Sequence, residues 1–222
     1  MSNRKGEIDA NLADVNFRIE KAAKSAGRSV DEITLVAVTK TFPVSDIEFL
    51  YQLGIRNFGE NRDQEGSIKA PQLPDDCIWH FQGQIQSNKL KSIALWADVI
   101  HSLDDLSHAK KLSSLAANKD IFIQLSLDSQ PNRGGVAPEE LDGFARAIAE
   151  LSNLKVRGLM AVAPLDEDPK LAFARLNLLS KQLVKTLPMA SEMSAGMSND
   201  FEAAISQGAT LIRIGSQILG VR

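Results

Sequence analysis

Eight short segments rich in Val, Ile, Leu and Phe recur along this chain, and nearly every one is followed by a stretch with helical spacing. That alternation constrains the fold most, because strands separated by helices pair in parallel and are covered by those helices. The strand candidates are "ITLVAVT", "IRNFGE", "IWHFQG", "DVIHSL", "IFIQLSL", "VRGLMAV", "SEMSAGM" and "LIRIG". Helical patterns lie at 44–53, 62–70, 87–97, 104–117, 138–151, 169–186 and 198–207, with a short one from about Ser216. In the 138–151 stretch Leu141, Phe144, Ala145 and Ile148 share one face. A leading helix sets Ile8, Leu12, Val15, Ile19 and Ala22 on one stripe.

Eight β/α units in 222 residues fit a single (β/α)8 barrel domain spanning 1–222, with an extra N-terminal helix over part of it. A doubly wound open sheet is the alternative. Either architecture places functional groups at the C-terminal ends of the strands.

A net charge of -3 gives no bulk attraction to nucleic acid or anionic membranes, so any bound anion is held locally. No apolar run approaches the roughly 18 residues of a membrane span, and "MSNRKGEIDA" lacks a signal-peptide core. A cytoplasmic location is therefore expected. Cys77 is the only cysteine, which excludes an internal disulfide and a multi-cysteine metal site; no metal is expected.

The strand ends are polar or small: Lys40 after the first, Glu60 and Asn61 after the second, Gly83 and Gln84 after the third. Ala163 and Pro164 end the sixth, Met197 and Ser198 the seventh, Gly215 and Ser216 the eighth. The Gly-rich "DSQPNRGGV" after strand five reads as a mobile rim or as a plain solvated loop. "RIGSQILG" and "GMSNDFEAAI" each form a strand-to-helix turn where unpaired N–H groups and the helix dipole suit a phosphate. Ordinary capping competes, since Asp200 and Glu202 lie in the first turn of the predicted 198–207 helix. A lysine at a barrel mouth, shielded in part from water, suits attack on an aldehyde, and pyridoxal phosphate carries both aldehyde and phosphate. A lysine that snorkels at the rim is the other reading of Lys40.

"LVAVTKTFP", "RNFGENRDQEG", "WHFQGQIQSNK", "RGLMAVAP" and "GMSNDFEAAISQGATLIRIGSQILG" occur in an order that resembles the pyridoxal phosphate homeostasis protein family over nearly the whole chain. That family is similar to the barrel domain of alanine racemases and lacks their second domain. The resemblance implies that pyridoxal 5'-phosphate is held as an aldimine on Lys40, with Asn61 beside the ring. It implies Ser198 and the backbone of Gly215 and Ser216 at the phosphate, and Arg213 at the pyridine nitrogen. Asn61 also reads as a helix cap, and His80 of "WHF" as a core histidine or a ring contact. This chain departs from the family pattern at Arg62 and Asp63, where an aromatic or aliphatic pair is usual. Ser216 replaces a threonine and Leu219 a phenylalanine, while "NRGG" replaces a loop that often carries lysine, with Arg133 to keep the charge in altered geometry.

An arginine at the ring nitrogen is a donor without acceptor capacity and leaves the cofactor a weak electron sink. Racemisation needs a base on each face, and the only tyrosine, Tyr51, reads as mid-helix. The implied role is cofactor binding and supply to apo-enzymes without substantial turnover. A small racemase-like enzyme using Lys40 and His80 is the alternative, and an oligomeric interaction protein with a vestigial pocket is a third reading.

Overall fold

The computed structural model describes residues 2–115, 118–128 and 134–221. Its strands are β1 (Thr34–Val38), β2 (Asn57–Glu60), β3 (Ile78–Phe81), β4 (Val99–Leu103), β5 (Lys119–Gln124), β6 (Leu154–Met160), β7 (Glu192–Ser194) and β8 (Leu211–Ile214). All pair in parallel with their sequence neighbours, and β8 closes on β1. The closed (β/α)8 barrel is thus formed, and the open sheet is excluded.

Helix α1 (Ser2–Ser25) precedes the barrel, and α2 (Val44–Gln52), α3 (Asp63–Lys69), α4 (Leu90–Trp96) and α5 (Leu106–Leu115) follow β1 to β4. Next come α6 (Leu141–Ala149), α7 (Pro169–Thr186), α8 (Phe201–Ser206) and α9 (Ser216–Leu219). On α1, Ile8, Leu12, Val15 and Ile19 are buried, Ala22 lies at the edge of the stripe, and Ala23 takes the fully buried position. The helix packs on α2, α8 and α9, across the seam where β8 meets β1. The start of the 138–151 pattern is a 3-10 turn, Pro138–Glu140, before α6. Residues 116 and 117 of the predicted 104–117 helix, and residues 129–133 of the rim loop with Arg133, lie outside the described residues.

Strand side chains divide by the period of two. Ala37, Ile121 and Ile123 join the main core between strands and helices, whereas Val36 and Phe122 join Val99, Met160 and Leu211 in a separate cluster inside the barrel. That interior is not wholly apolar: His80, His101, Ser194 and Arg213 are buried too.

Candidate functional site

At the C-terminal mouth a cavity of about 370 Å³ collects Lys40, Asn61, Ser198, Arg213, Gly215 and Ser216, all six residues singled out from sequence. Val38, Gln82, Met160, Val162, Met197, Asn199 and Asp200 complete its wall. The residues come from the ends of β1, β2, β3, β6, β7 and β8, because a closed parallel barrel points those six ends at one opening.

Lys40 differs from expectation in one respect: it is exposed rather than partly shielded. The chain leaves β1 at Val38, and Thr41, with φ of 68°, turns it sharply, which sets Lys40 on the rim. Asn61 caps nothing. The N-cap of α3 is Arg62, without a side-chain cap bond, and Asn61 lines the cavity with its Oδ1 buried and unpartnered. Gln82 Nε2 is likewise buried without a partner. Two glycines create this arrangement. A Cβ at Gly59 would lie 2.7 Å from Gln82 Nε2, and one at Gly83 would lie 1.9 Å from the Asn61 carbonyl oxygen. Sequence reading named Gly83 and Gln84 at this strand end and missed Gln82. The available signal was its place directly after the "IWHF" strand, one residue before a glycine.

The loop after β7 also differs from expectation. Its helix starts at Phe201, not Ser198, because the Asp200 carboxylate turns back to accept from the Met197 amide at 2.6 Å. Glu202 accepts instead from Arg18 at 2.5 and 2.8 Å. Neither carboxylate caps α8 as the capping reading required. Ser198, 8% exposed, accepts from the Ser216 hydroxyl at 3.1 Å, which leaves its own proton for another acceptor. The first amides of α9 have no intrahelical partner.

Arg213 is 5% exposed on β8, its Nη1 donating to Ser194 Oγ at 2.6 Å and its Nη2 to the Ala161 carbonyl at 3.1 Å. Burial lowers its pKa to about 10, so it is a cation at neutral pH. Behind it a chain of bonds crosses the interior. Ser194 Oγ pairs with His101 Nδ1 at 2.8 Å, His101 Nε2 with His80 Nδ1 at 2.8 Å, and His80 Nε2 with Asn57 Oδ1 at 3.0 Å. Asn57 Oδ1 only accepts, so His80 Nε2 and then His101 Nε2 carry protons, and the Ser194 hydroxyl donates to His101 Nδ1. Both imidazoles are neutral: burial drives His80 down to about 3 and His101 well below its ordinary value. His80 is therefore a core histidine and does not line the cavity.

The departures from the common pattern also have places. Asp63 is buried and accepts from Trp96 Nε1 at 3.1 Å, while Arg62 is exposed. Leu219 is buried. Among the described residues no group of His, Cys, Asp and Glu is arranged to hold a metal ion.

The chain matches the family model "Alanine racemase, N-terminal domain" over residues 11–222. A pyridoxal phosphate homeostasis protein of Pseudomonas aeruginosa is 40% identical, covering 97% of this chain and 96% of its own. One of Mycobacterium leprae is 37% identical, covering 98% and 94%. The solved structure of PipY from Synechococcus elongatus with PLP bound superposes with a TM-score of 0.80 at 32% identity, covering 91% of this chain and all of that one (100%). Barrel, cavity and full-length likeness agree: the chain belongs to the pyridoxal phosphate homeostasis protein family, built on the alanine racemase N-terminal domain.

Proposed function

We propose that this chain, as one barrel domain, binds pyridoxal 5'-phosphate at the cavity and holds it on Lys40 for supply to other proteins, without substantial turnover of its own. The observation that carries the reading is the donor set of the cavity. An amine, a guanidinium and a serine pair line one space together with Asn61 and Gln82, each of which has a buried amide atom without a partner, Oδ1 and Nε2. A buried polar atom without a partner costs roughly 1–3 kcal/mol, a cost that a polar ligand in this space removes. The relatives' names and the PLP-bound PipY structure point the same way.

When bound, the cofactor supplies an aldehyde and a conjugated, electron-withdrawing ring. Lys40 would hold the cofactor through that aldehyde, its two amine hydrogens leaving with the carbonyl oxygen as water, so no oxidant or reductant is needed. Ser198 would donate its hydroxyl to the phosphate, Gly215 and Ser216 would donate their amides, and Asn61 and Gln82 would orient the ring edge. Arg213, held by Ser194 and Ala161, is a donor without acceptor capacity; it would donate to the ring nitrogen and so would keep the electron sink weak.

The case against turnover rests on bases. Tyr51 stands on α2 and donates to Asp76 at 2.9 Å, His80 and His101 are sealed in the core, and His108, half-buried on α5 with its Nε2 paired to the Ser87 hydroxyl at 2.8 Å, does not line the cavity. Among the described residues Lys40 is the only amine lining the cavity, and one oxygen of Asp200 is taken by Met197. Racemisation and transamination of alanine are expected to be negligible; turnover near 1–10³ s⁻¹, the ordinary enzyme range, would establish the racemase-like alternative. The exposure of Lys40 suits release, because a second amine can reach the carbon it holds. Apo-enzymes that need the cofactor are the partners this reading calls for. A cytoplasmic setting belongs to it as well; no helix among the described residues is long and apolar enough to cross a membrane.

Borohydride reduction of the protein mixed with pyridoxal phosphate, followed by peptide mapping, tests the attachment. One adduct, on Lys40, is expected. An adduct on Lys89 or Lys91, with a visible absorption band that survives Lys40→Ala, would overturn the assignment.

A further inference from the structure

Lys69 lies on α3, 7% exposed, and takes no part in the cavity. Its ammonium makes three bonds, to the Thr39 carbonyl at 2.9 Å, Glu60 Oε1 at 2.8 Å and Glu65 Oε2 at 2.9 Å. The two carboxylates reach the same stretch of chain. Glu60, fully buried at the end of β2, accepts from the Thr39 hydroxyl at 2.7 Å, and Glu65 accepts from the Thr41 amide at 2.6 Å. The group thus holds the residue before Lys40 and the residue after it.

Thr41 shows what this grip works against. Its φ of 68° lies in the left-handed region, where a β-branched residue is a steric outlier that persists only if its surroundings enforce it. Glu65 and Lys69 are four apart on α3 and so share a face, and the hydrogen bond from the Thr41 amide ends on the carboxylate they share. The electrostatics agree: burial raises Glu65's pKa, but Lys69 and the Thr41 amide outweigh it and keep the carboxyl below its ordinary value.

We propose that Lys69, Glu60 and Glu65 form a clamp that enforces the left-handed turn at Thr41 and so aims Lys40 at the cavity, acting as positioning residues for its attachment to an aldehyde. This rests on the attachment at Lys40 proposed above, and it adds three residues that never touch the ligand. Misplacing a reacting group by about 1 Å can cost up to a hundredfold in rate. Glycine at position 41 would adopt the same turn without enforcement.

The test uses Glu65→Ala, Thr41→Gly and the double variant, each checked for folding by thermal melting. Two quantities are read: the rate at which cyanoborohydride fixes pyridoxal phosphate on Lys40, by mass, and the affinity for pyridoxine phosphate, which has the ring and phosphate but no aldehyde. Glu65→Ala should slow attachment by roughly ten- to hundredfold with pyridoxine phosphate affinity unchanged, and Thr41→Gly in that background should restore the rate to within about threefold of wild type. Attachment by Glu65→Ala at the wild-type rate, a parallel loss of pyridoxine phosphate affinity, or no rescue by Thr41→Gly would overturn the clamp. A wild type that forms no adduct on Lys40 would instead overturn the attachment itself. Hydrogen exchange of wild type gives a measurement independent of the variants. The Thr41 amide should be protected at least tenfold over exposed loop amides, and exchange at the loop rate would mean that the clamp is not closed in solution.

Discussion

Lowering the pH from 7 to 5 should weaken the fold by about 2 kcal/mol through His80 alone, with His101 adding in the same direction. Burial in the barrel interior keeps His80 unprotonated down to about 3, while in the unfolded chain it takes up a proton near the usual 6.5. Between those values the unfolded state binds more protons than the folded one, so stability falls as pH falls through 6.5. At pH 5 the gap is about 1.5 pH units, and each is worth about 1.4 kcal/mol. The geometry shows why neither ring accepts a proton in place. A second hydrogen on His80 Nδ1 would face the His101 Nε2 hydrogen across 2.8 Å, and one on His101 Nδ1 would face the Ser194 hydroxyl hydrogen at the same distance. The buried cation Arg213 and the nearby Arg157 oppose the added charge on His101. Glu60 works the other way, since burial holds its carboxyl above the ordinary range and acid relieves that cost. Urea unfolding at pH 7 and pH 5 measures the sum, and a His80→Gln/His101→Gln variant isolates the imidazoles by flattening the difference. A pH difference that is the same in the variant as in wild type would refute the neutral-histidine core and assign any acid sensitivity elsewhere.

The barrel and most of its mouth were legible because both depend on local pattern. Period-two strands alternating with helical stripes imply parallel closure, and closure brings six distant strand ends together whatever their spacing in sequence. Lys40, Asn61, Ser198, Arg213, Gly215 and Ser216 follow from that rule and the motif resemblance, and all line the cavity. What escaped depends on contacts that no pattern records. Gln82 enters the wall because Gly59, twenty-three residues earlier, leaves room for its side chain. The start of α8 moved from Ser198 to Phe201 because one carboxylate, Asp200, found a backbone amide behind it. His101 carries no motif of its own, and its role arises from three partners on different strands or their ends. Lys69 ends a short helix and reads as a surface charge until β1 and β2 are seen to converge on it.

Pyridoxal phosphate should bind at least about a hundredfold more tightly than pyridoxal. On the reading proposed above both ligands would present the aldehyde to Lys40 and the ring nitrogen to Arg213, so only the phosphate would separate them. Ser198 and the backbone amides of Gly215 and Ser216 are the groups proposed for it, and a hydrogen bond to a charged acceptor contributes roughly 1.5–3 kcal/mol. Two such bonds already give the hundredfold preference, since about 1.4 kcal/mol is a factor of ten. The serine pair is arranged for this: Ser216 donates to Ser198 Oγ at 3.1 Å, so the Ser198 hydroxyl can direct its own hydrogen to a phosphate oxygen. Ser198→Ala should therefore lower the preference by roughly tenfold while leaving pyridoxal affinity nearly unchanged. Lys40→Ala should do the reverse, removing the covalent adduct and keeping a phosphate-dependent affinity. Paired titrations of wild type and both variants with the two ligands decide the matter. Equal affinity of wild type for pyridoxal and pyridoxal phosphate would mean that the loops after β7 and β8 hold no anion, and that Lys40 and Arg213 alone define what this barrel retains.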